Sequence, residues 1–294
     1  MQTKYKLNHS LFIFGLMILF FIAAFPLVQA QSAAPGDLDT TFGSGGKVVT
    51  PVTEGGDEPT RVRIQPDGKI VTVGYNLNFD FFPVVTFLVR HNADGTVDNS
   101  FGTNGLVVVT SISGYDIPFT DFVILPDGKF LVTGNRYILS SQTASLVIYR
   151  YTANGTLDAA FGTNGVITTP VGGYFSNQII VLQPDGKFVV AGGTCTGNFC
   201  REVAVVRYNS NGTLDATFGT GGITKTSVEN GELRVRELLV QTDGKLLVAG
   251  FRFSPINIFV LRYNPNGTLD NSFGANGIVQ TNIDNQSTYM RISS

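Results

Sequence analysis

One phrase recurs four times along the chain. RIQPDGKIVTVGY begins at Arg63, VILPDGKFLVTGN at Val123, VLQPDGKFVVAGG at Val181 and LVQTDGKLLVAGF at Leu239. Two further elements keep step with it. LDxxFG appears with its Asp at 39, 98, 158, 215 and 270, and an apolar run ends in Arg90-His91, Arg150-Tyr151, Arg207-Tyr208 and Arg262-Tyr263. The Asp returns every 55 to 60 residues. Self-similarity at this period means one supersecondary unit copied in tandem, each copy burying an apolar face on the next.

Within a unit the pattern is all strand. DFVIL and KFLVTG flank Pro126-Asp127-Gly128. Pro suits the first central position of a type I turn, and Gly supplies the left-handed residue that closes a bulged hairpin. SLVIYRY is a third strand, Asn154-Gly155 a tight turn and GVITTPV a fourth strand. No long 3.6-residue periodicity competes. Four short antiparallel strands per copy predict an all-β chain, a β-propeller with four complete repeats and a partial fifth. The repeats run 37–95, 96–155, 156–212 and 213–267, with 268–294 partial, inside a propeller domain of residues 31–294.

LDxxFGxxG, QPDGKxxVAG and RYNxNGTLD, in this order and spacing, resemble the delta-60 repeat family and, more distantly, NHL-type propeller repeats. The likeness covers nearly all of residues 37–292. It implies a bacterial, secreted, propeller-like protein and brings no catalytic residues with it.

By analogy with NHL-type blades, the strand before PDGK is innermost. The blades then span about 60–110, 119–170, 177–226 and 235–281. Gly46–Val52 reads as an outer strand without its blade, and Thr288–Ser293 as an inner strand without its blade. This predicts an incomplete ring; the alternative is a four-bladed ring with frayed ends.

Lys4 and Lys6 precede an apolar run from Leu11 to Phe25, and Val-Gln-Ala ends at Ala30. A basic start, an apolar core shorter than a bilayer span and small residues before a cut predict a signal peptide over residues 1–30. The chain is therefore expected outside the cytoplasm, secreted or at the cell surface, with the periplasm as the other destination and no membrane span after cleavage. Without those two lysines, 18 basic residues face 22 acidic ones. A net charge near −4 lacks the basic footprint of a nucleic-acid binder.

Residues present once per blade, such as the Arg of the Arg-aromatic pair and the Asp and Phe of LDxxFG, read as structural. His91 takes the place of a Tyr. Cys195 and Cys200, in CTGNFC, are the only cysteines, and an exported chain favours a disulfide between them. Most of the NxNGTLD turns offer a single carboxylate where calcium wants several, so no cofactor or metal is expected, with calcium at the turns as the alternative. The loops that differ between blades share the rim opposite PDGK. They carry Tyr75, Phe79, Phe82, Tyr115, Asp116, Tyr137, Tyr174 and Phe253 as candidate ligand contacts, with Phe81, Phe175, Phe199 and Phe251 nearby. Exposed aromatics beside acids suit a glycan or protein surface. The expected function is non-catalytic binding. A hydrolase or lyase using Asp57, Glu58, Asp116, Asp121, Glu232 or Glu237 at the central tunnel is the alternative, and a structural surface or adhesion repeat is a third.

Overall fold

A computed structural model describes residues 34–53, 56–76, 85–110, 115–138, 143–196, 199–228, 232–253 and 256–282. Residues 1–30 and Thr288–Ser293 lie outside the described residues. The chain divides into Met1–Leu38 and Asp39–Ser294. In the first unit, the Ala34 N–H donates to the Asp37 carboxylate (2.7 Å). All the described strands belong to the second.

Among the described residues, sixteen strands form four antiparallel sheets, each in sequence order. Blade 1 is β1 (Asp57–Ile64), β2 (Ile70–Asn76), β3 (Val85–His91) and β4 (Leu106–Thr110). Blade 2 is β5 (Tyr115–Ile124), β6 (Phe130–Ile138), β7 (Thr143–Tyr151) and β8 (Val166–Pro170). Blade 3 is β9 (Tyr174–Leu182), β10 (Phe188–Thr196), β11 (Phe199–Tyr208) and β12 (Ile223–Ser227). Blade 4 is β13 (Leu233–Val240), β14 (Leu246–Arg252), β15 (Asn257–Tyr263) and β16 (Ile278–Asn282).

The repeated motifs make the turns. At PDGK, Gln65 N–H donates to the Lys69 carbonyl and Gly68 N–H to the Gln65 carbonyl, and Gly68 takes φ +83°. A side chain is disfavoured at that backbone angle, which is why Gly recurs there. The PDGK Lys then reaches the Asp of LDxxFG: Lys69–Asp98, Lys187–Asp215 and Lys245–Asp270 lie at 2.9, 2.9 and 3.0 Å. The Arg of the third strand joins the same carboxylate at 2.7 to 2.9 Å in all four blades. Its guanidinium also covers the Phe of the same motif, as Arg90 covers Phe101 at 4.5 Å. The per-blade residues are thus one repeated structural cluster.

That cluster also couples blades. Arg90 Nη1 donates to the Ala153 carbonyl of blade 2 and Gly102 N–H to the Asn154 carbonyl (2.6 and 2.7 Å). Arg207 and Gly219 repeat this on Pro265 and Asn266 of blade 4 (2.5 and 2.8 Å). Three clusters of buried apolar side chains fill the junctions 1–2, 2–3 and 3–4, with Phe101, Phe161 and Phe218 each packed among residues of the following blade. Burial of each ring contributes about 2 kcal/mol. Among the described residues no such cluster joins blade 4 to blade 1. Val62 and Ile64 of β1 are 62% and 71% exposed, while the counterparts of Val62, which are Phe122, Ile180 and Leu238, are fully buried and those of Ile64, which are Ile124, Leu182 and Val240, are half-buried.

Gly46–Val52 is not a ladder strand, contrary to expectation. Only Lys47 bridges, to Gly43, because among the described residues no further strand lies alongside to pair with it. The segment still docks as the outer edge of a preceding blade would. Gly43 N–H donates to the Asp94 carbonyl (2.7 Å), and the Thr50 hydroxyl meets His91 Nε2 at 2.8 Å. Tyr208 and Tyr263 bond Thr169 and Thr226 in the same way. His91 is therefore a structural stand-in for Tyr.

Candidate functional site

Each inner strand carries a β-bulge near its start. The register slips between Pro59 and Arg61 in β1, between Ile117 and Asp121 in β5, opposite Ala191–Gly193 in β9, and between Val235 and Glu237 in β13. An extra residue in one strand re-aims side chains and often marks a site. The partner strand makes room with the Gly of the VAG motif. A Cβ on Gly74 or Gly250 would strike the backbone carbonyl of Glu58 or Arg234 and the ring of Phe87 or Phe259.

The bulged residues meet in one cavity of about 420 Å³. Blade 1 contributes Glu58, Pro59, Thr60, Arg61 and Tyr75; blade 2, Thr120 and Asn135. Blade 3 adds Asn177, Gln178 and Ile179, and blade 4 adds Val235 and Arg236. Asn177 takes a left-handed φ of 52° at the bulge, a conformation Asn tolerates better than most residues. The volume suits a small ligand or one end of a larger one.

The walls are mostly polar and cross-linked. The Tyr75 hydroxyl donates to Glu58 (2.6 Å). Thr120 donates to the Gln178 side-chain carbonyl (2.7 Å) and lies 3.1 Å from the Thr133 hydroxyl. Gln178 and Asn135 both donate to the Phe175 carbonyl, which leaves Asn135 Oδ1, buried, with no donor. Beside this floor lies Asp121, fully buried, facing Arg63 at 3.0 Å and Arg61 at 3.4 Å and accepting from the N–H groups of Phe122 and Ile180 (2.9 and 3.1 Å). Burial pushes its carboxyl up, and Arg63, the Ile180 N–H and Arg61 pull against that. Asp121 spends its oxygens tying three blades together.

The other candidate acids are mostly committed elsewhere. Asp57 binds the N–H groups of Val52 and Thr53 and the Thr53 hydroxyl. Burial pushes its carboxyl up, and these bonds with Asn76 outweigh that and lower it. Glu232 pairs with Arg234 at 3.0 Å, and Glu237 accepts from the Leu238 N–H. Asp116 stands opposite Arg136 in the β5–β6 ladder. Among the described residues, Glu58 is the sole carboxylate lining the cavity, and no group of three or more His, Cys, Asp or Glu is placed to hold a metal ion.

Of the predicted ligand contacts, Tyr75 lines the cavity. Phe253 sits just beyond β14, 37% exposed, its N–H held by the Glu232 carbonyl (2.8 Å). Tyr115 and Tyr137 are backbone register partners in the β5–β6 ladder, and Tyr174 opens β9 paired with Cys195. Phe79, Phe81 and Phe82 lie outside the described residues. Phe175 and Phe251 are core residues, not exposed rim aromatics: at 0% and 7% exposure their rings pack under their own strands. Cys195 and Cys200 are bonded across the β10–β11 hairpin. In the NxNGT turns the Asn211 and Asn266 side-chain oxygens accept from Thr213 and Thr268 of their own loop.

Sequence reasoning missed Thr60, Arg61, Thr120, Asn135, Asn177, Gln178 and Arg236. Their signal lies in disagreement: reading the inner strands in register with PDGK, one column runs Arg61, Asp121, Ile179, Glu237 and the column before it Thr60, Thr120, Gln178, Arg236.

Four-stranded antiparallel sheets, joined in tandem and converging on one cavity, define a β-propeller repeat protein. Four stretches of it, residues 65–101, 125–161, 183–218 and 241–273, match the family described as "Domain of unknown function (DUF5122) beta-propeller". No curated protein matches the sequence. Among solved structures, a GH43 β-1,3-galactosidase with galactodeoxynojirimycin is similar at TM-score 0.44 and 11% identity, over 71% of this chain and 72% of that one. A protein of unknown function from Dyadobacter fermentans is similar at TM-score 0.45 and 14% identity, over 74% and 64%. An exo-β-1,3-galactanase from Clostridium thermocellum follows at TM-score 0.41 and 12% identity, over 77% and 52%.

Proposed function

We propose that this β-propeller is an exported, non-catalytic binding module that holds a glycan in the cavity where its four inner strands meet. The observation that carries this is the lining. Hydroxyl, amide and guanidinium groups from all four blades surround one space, with Pro59, Ile179 and Val235 as its apolar patches. A sugar ring presents hydroxyls on its edge and C–H groups on its faces, and such a mixed wall suits both. Hydrolysis of a glycosidic bond uses two carboxyl groups flanking it, about 5 to 10 Å apart. Glu58 has no such companion among the described lining residues, so binding without turnover is the better reading.

The test is isothermal titration of the secreted protein with neutral gluco-, galacto- and manno-oligosaccharides. Binding should weaken strongly in Thr120→Val and Arg236→Met, with the fold unchanged by circular dichroism. Absence of binding to every sugar overturns the reading. Release of reducing ends that Glu58→Gln abolishes would replace it with a hydrolase. Export has its own test: the mature protein recovered outside the cytoplasm should begin at Gln31 by mass spectrometry.

A further inference from the structure

We infer that the site continues out of the cavity onto a second, aromatic subsite at Phe253, so that its ligand is a chain of at least two sugar rings. The inference rests on the glycan reading and extends it. A chain of contacts leads from the cavity along blade 4, two aromatic rings with a guanidinium at each end. Arg236, in the cavity wall, lies 5.2 Å from the Phe251 ring centroid. Phe251 meets Phe253 edge to face at 5.0 Å, and the Arg234 guanidinium lies 5.7 Å from the Phe253 centroid.

These contacts hold the outer ring still. The β13–β14 register sets Arg234 opposite Phe251, and the Phe253 N–H is bonded to Glu232. The Glu232 carboxylate pairs with Arg234 (3.0 Å). Phe251 is spent on packing, at 7% exposure, whereas Phe253 keeps 37% of its surface open. A fixed, half-open ring beside a polar pocket offers what the pocket lacks, a flat face. The C–H face of a pyranose is apolar and faintly positive, and it complements the negative face of the aromatic quadrupole. The Arg234 head, which lies over the ring, can donate to hydroxyls at the sugar's edge. A ligand confined to the cavity would leave this platform unused; a linear saccharide with one ring in the cavity would bring its next ring over Phe253.

Titrations with cello-, laminari- and manno-oligosaccharides of one to four rings decide the matter. In the native protein, affinity for the preferred series should rise roughly tenfold from one ring to two. Phe253→Leu, which keeps an apolar side chain but removes the flat face, should abolish that rise and leave monosaccharide affinity unchanged. Phe253→Tyr should restore it. Thermal melts of the variants matching the native protein exclude a folding defect. Equal affinity for one and two rings, or a rise that survives in Phe253→Leu, overturns the second subsite while the cavity reading stands. If no saccharide of any length binds, the glycan reading and this extension fall together.

Discussion

The Tyr208 hydroxyl donates to the Thr169 hydroxyl of the preceding blade at 2.7 Å, with both side chains buried. Tyr263 and Thr226 repeat the bond at the next junction (2.8 Å), and His91 with Thr50 is its variant at the front of the array. Burial pushes the Tyr208 phenol well above its ordinary range, so this bond does not titrate below strongly alkaline pH. Tyr208→Phe leaves the Thr169 hydroxyl buried without its partner. It should cost about 1 to 2 kcal/mol in urea unfolding.

The histidine version behaves differently. Burial pushes the His91 imidazole below its ordinary range. The unfolded chain therefore takes up the proton more readily than the folded one. His91's contribution is complete above about pH 6.5 and is lost as pH falls through the lower folded value. Melting temperature should drop between pH 7.5 and 5.5 in the native protein. In His91→Tyr, which copies the other blades, the drop should be smaller; an unchanged drop would show that another group is responsible.

Asp215 gathers Arg207, Lys187 and Thr217 around one carboxylate. Burial pushes it up, and those donors together hold it far below the usual Asp range. The sign is opposite to a basic group's usual case: the stabilisation is present above the ordinary Asp value and fades as pH falls below it. Asp215→Asn strands two cations, one of them buried, and should cost about 3 kcal/mol at pH 7. The cost should shrink only in part at pH 3, where the folded carboxylate is still ionised, and further at lower pH, measured by chemical denaturation at each value.

Gly250 is required by a close approach. In Gly250→Ala the new methyl meets the Arg234 carbonyl and the Phe259 ring, so β13 must move outward. A loss of about 1 to 3 kcal/mol is expected. Because the adjacent bulge aims Arg236, saccharide affinity should fall as well, even at temperatures where the variant is fully folded.

Val62 and Ile64 form an uncovered apolar strip on β1. Such strips promote association. Light scattering should show the native protein's apparent mass growing with concentration. Val62→Thr with Ile64→Thr should suppress that growth without lowering the melting temperature.

The repeated columns of the sequence were readable because each repeats one physical task. PDGK closes a hairpin, the Arg, Lys and Asp form one ionic cluster, and the LDxxFG Phe fills a junction. The cavity was not readable by the same means, since Thr60, Thr120, Gln178 and Arg236 occupy one column with three chemistries. Nor does strand alternation survive a bulge, so the inward turn of these residues needs the observed register. Phe175 was misplaced on the rim for a related reason: one residue after Tyr174, it points into the core between blades 2 and 3. The ladder expected at Gly46–Val52 failed because apolar alternation specifies a face, whereas hydrogen bonding needs a neighbour.

The bonds from Gly102 to Asn154 and from Gly219 to Asn266 have a consequence for how such a molecule can change. Junctions 1–2 and 3–4 are fastened by the same backbone groups, so that fastening is nearly blind to side-chain identity elsewhere. A whole unit could be duplicated or exchanged by recombination without inventing a new joint. The bulge residues take no part in those backbone bonds, although Thr120 with Gln178 and Arg61 with Asp121 join blades through their side chains. Recognition is thus inherited largely on columns apart from the backbone fastening, and a new specificity grafted onto the bulges would have to keep those two side-chain links.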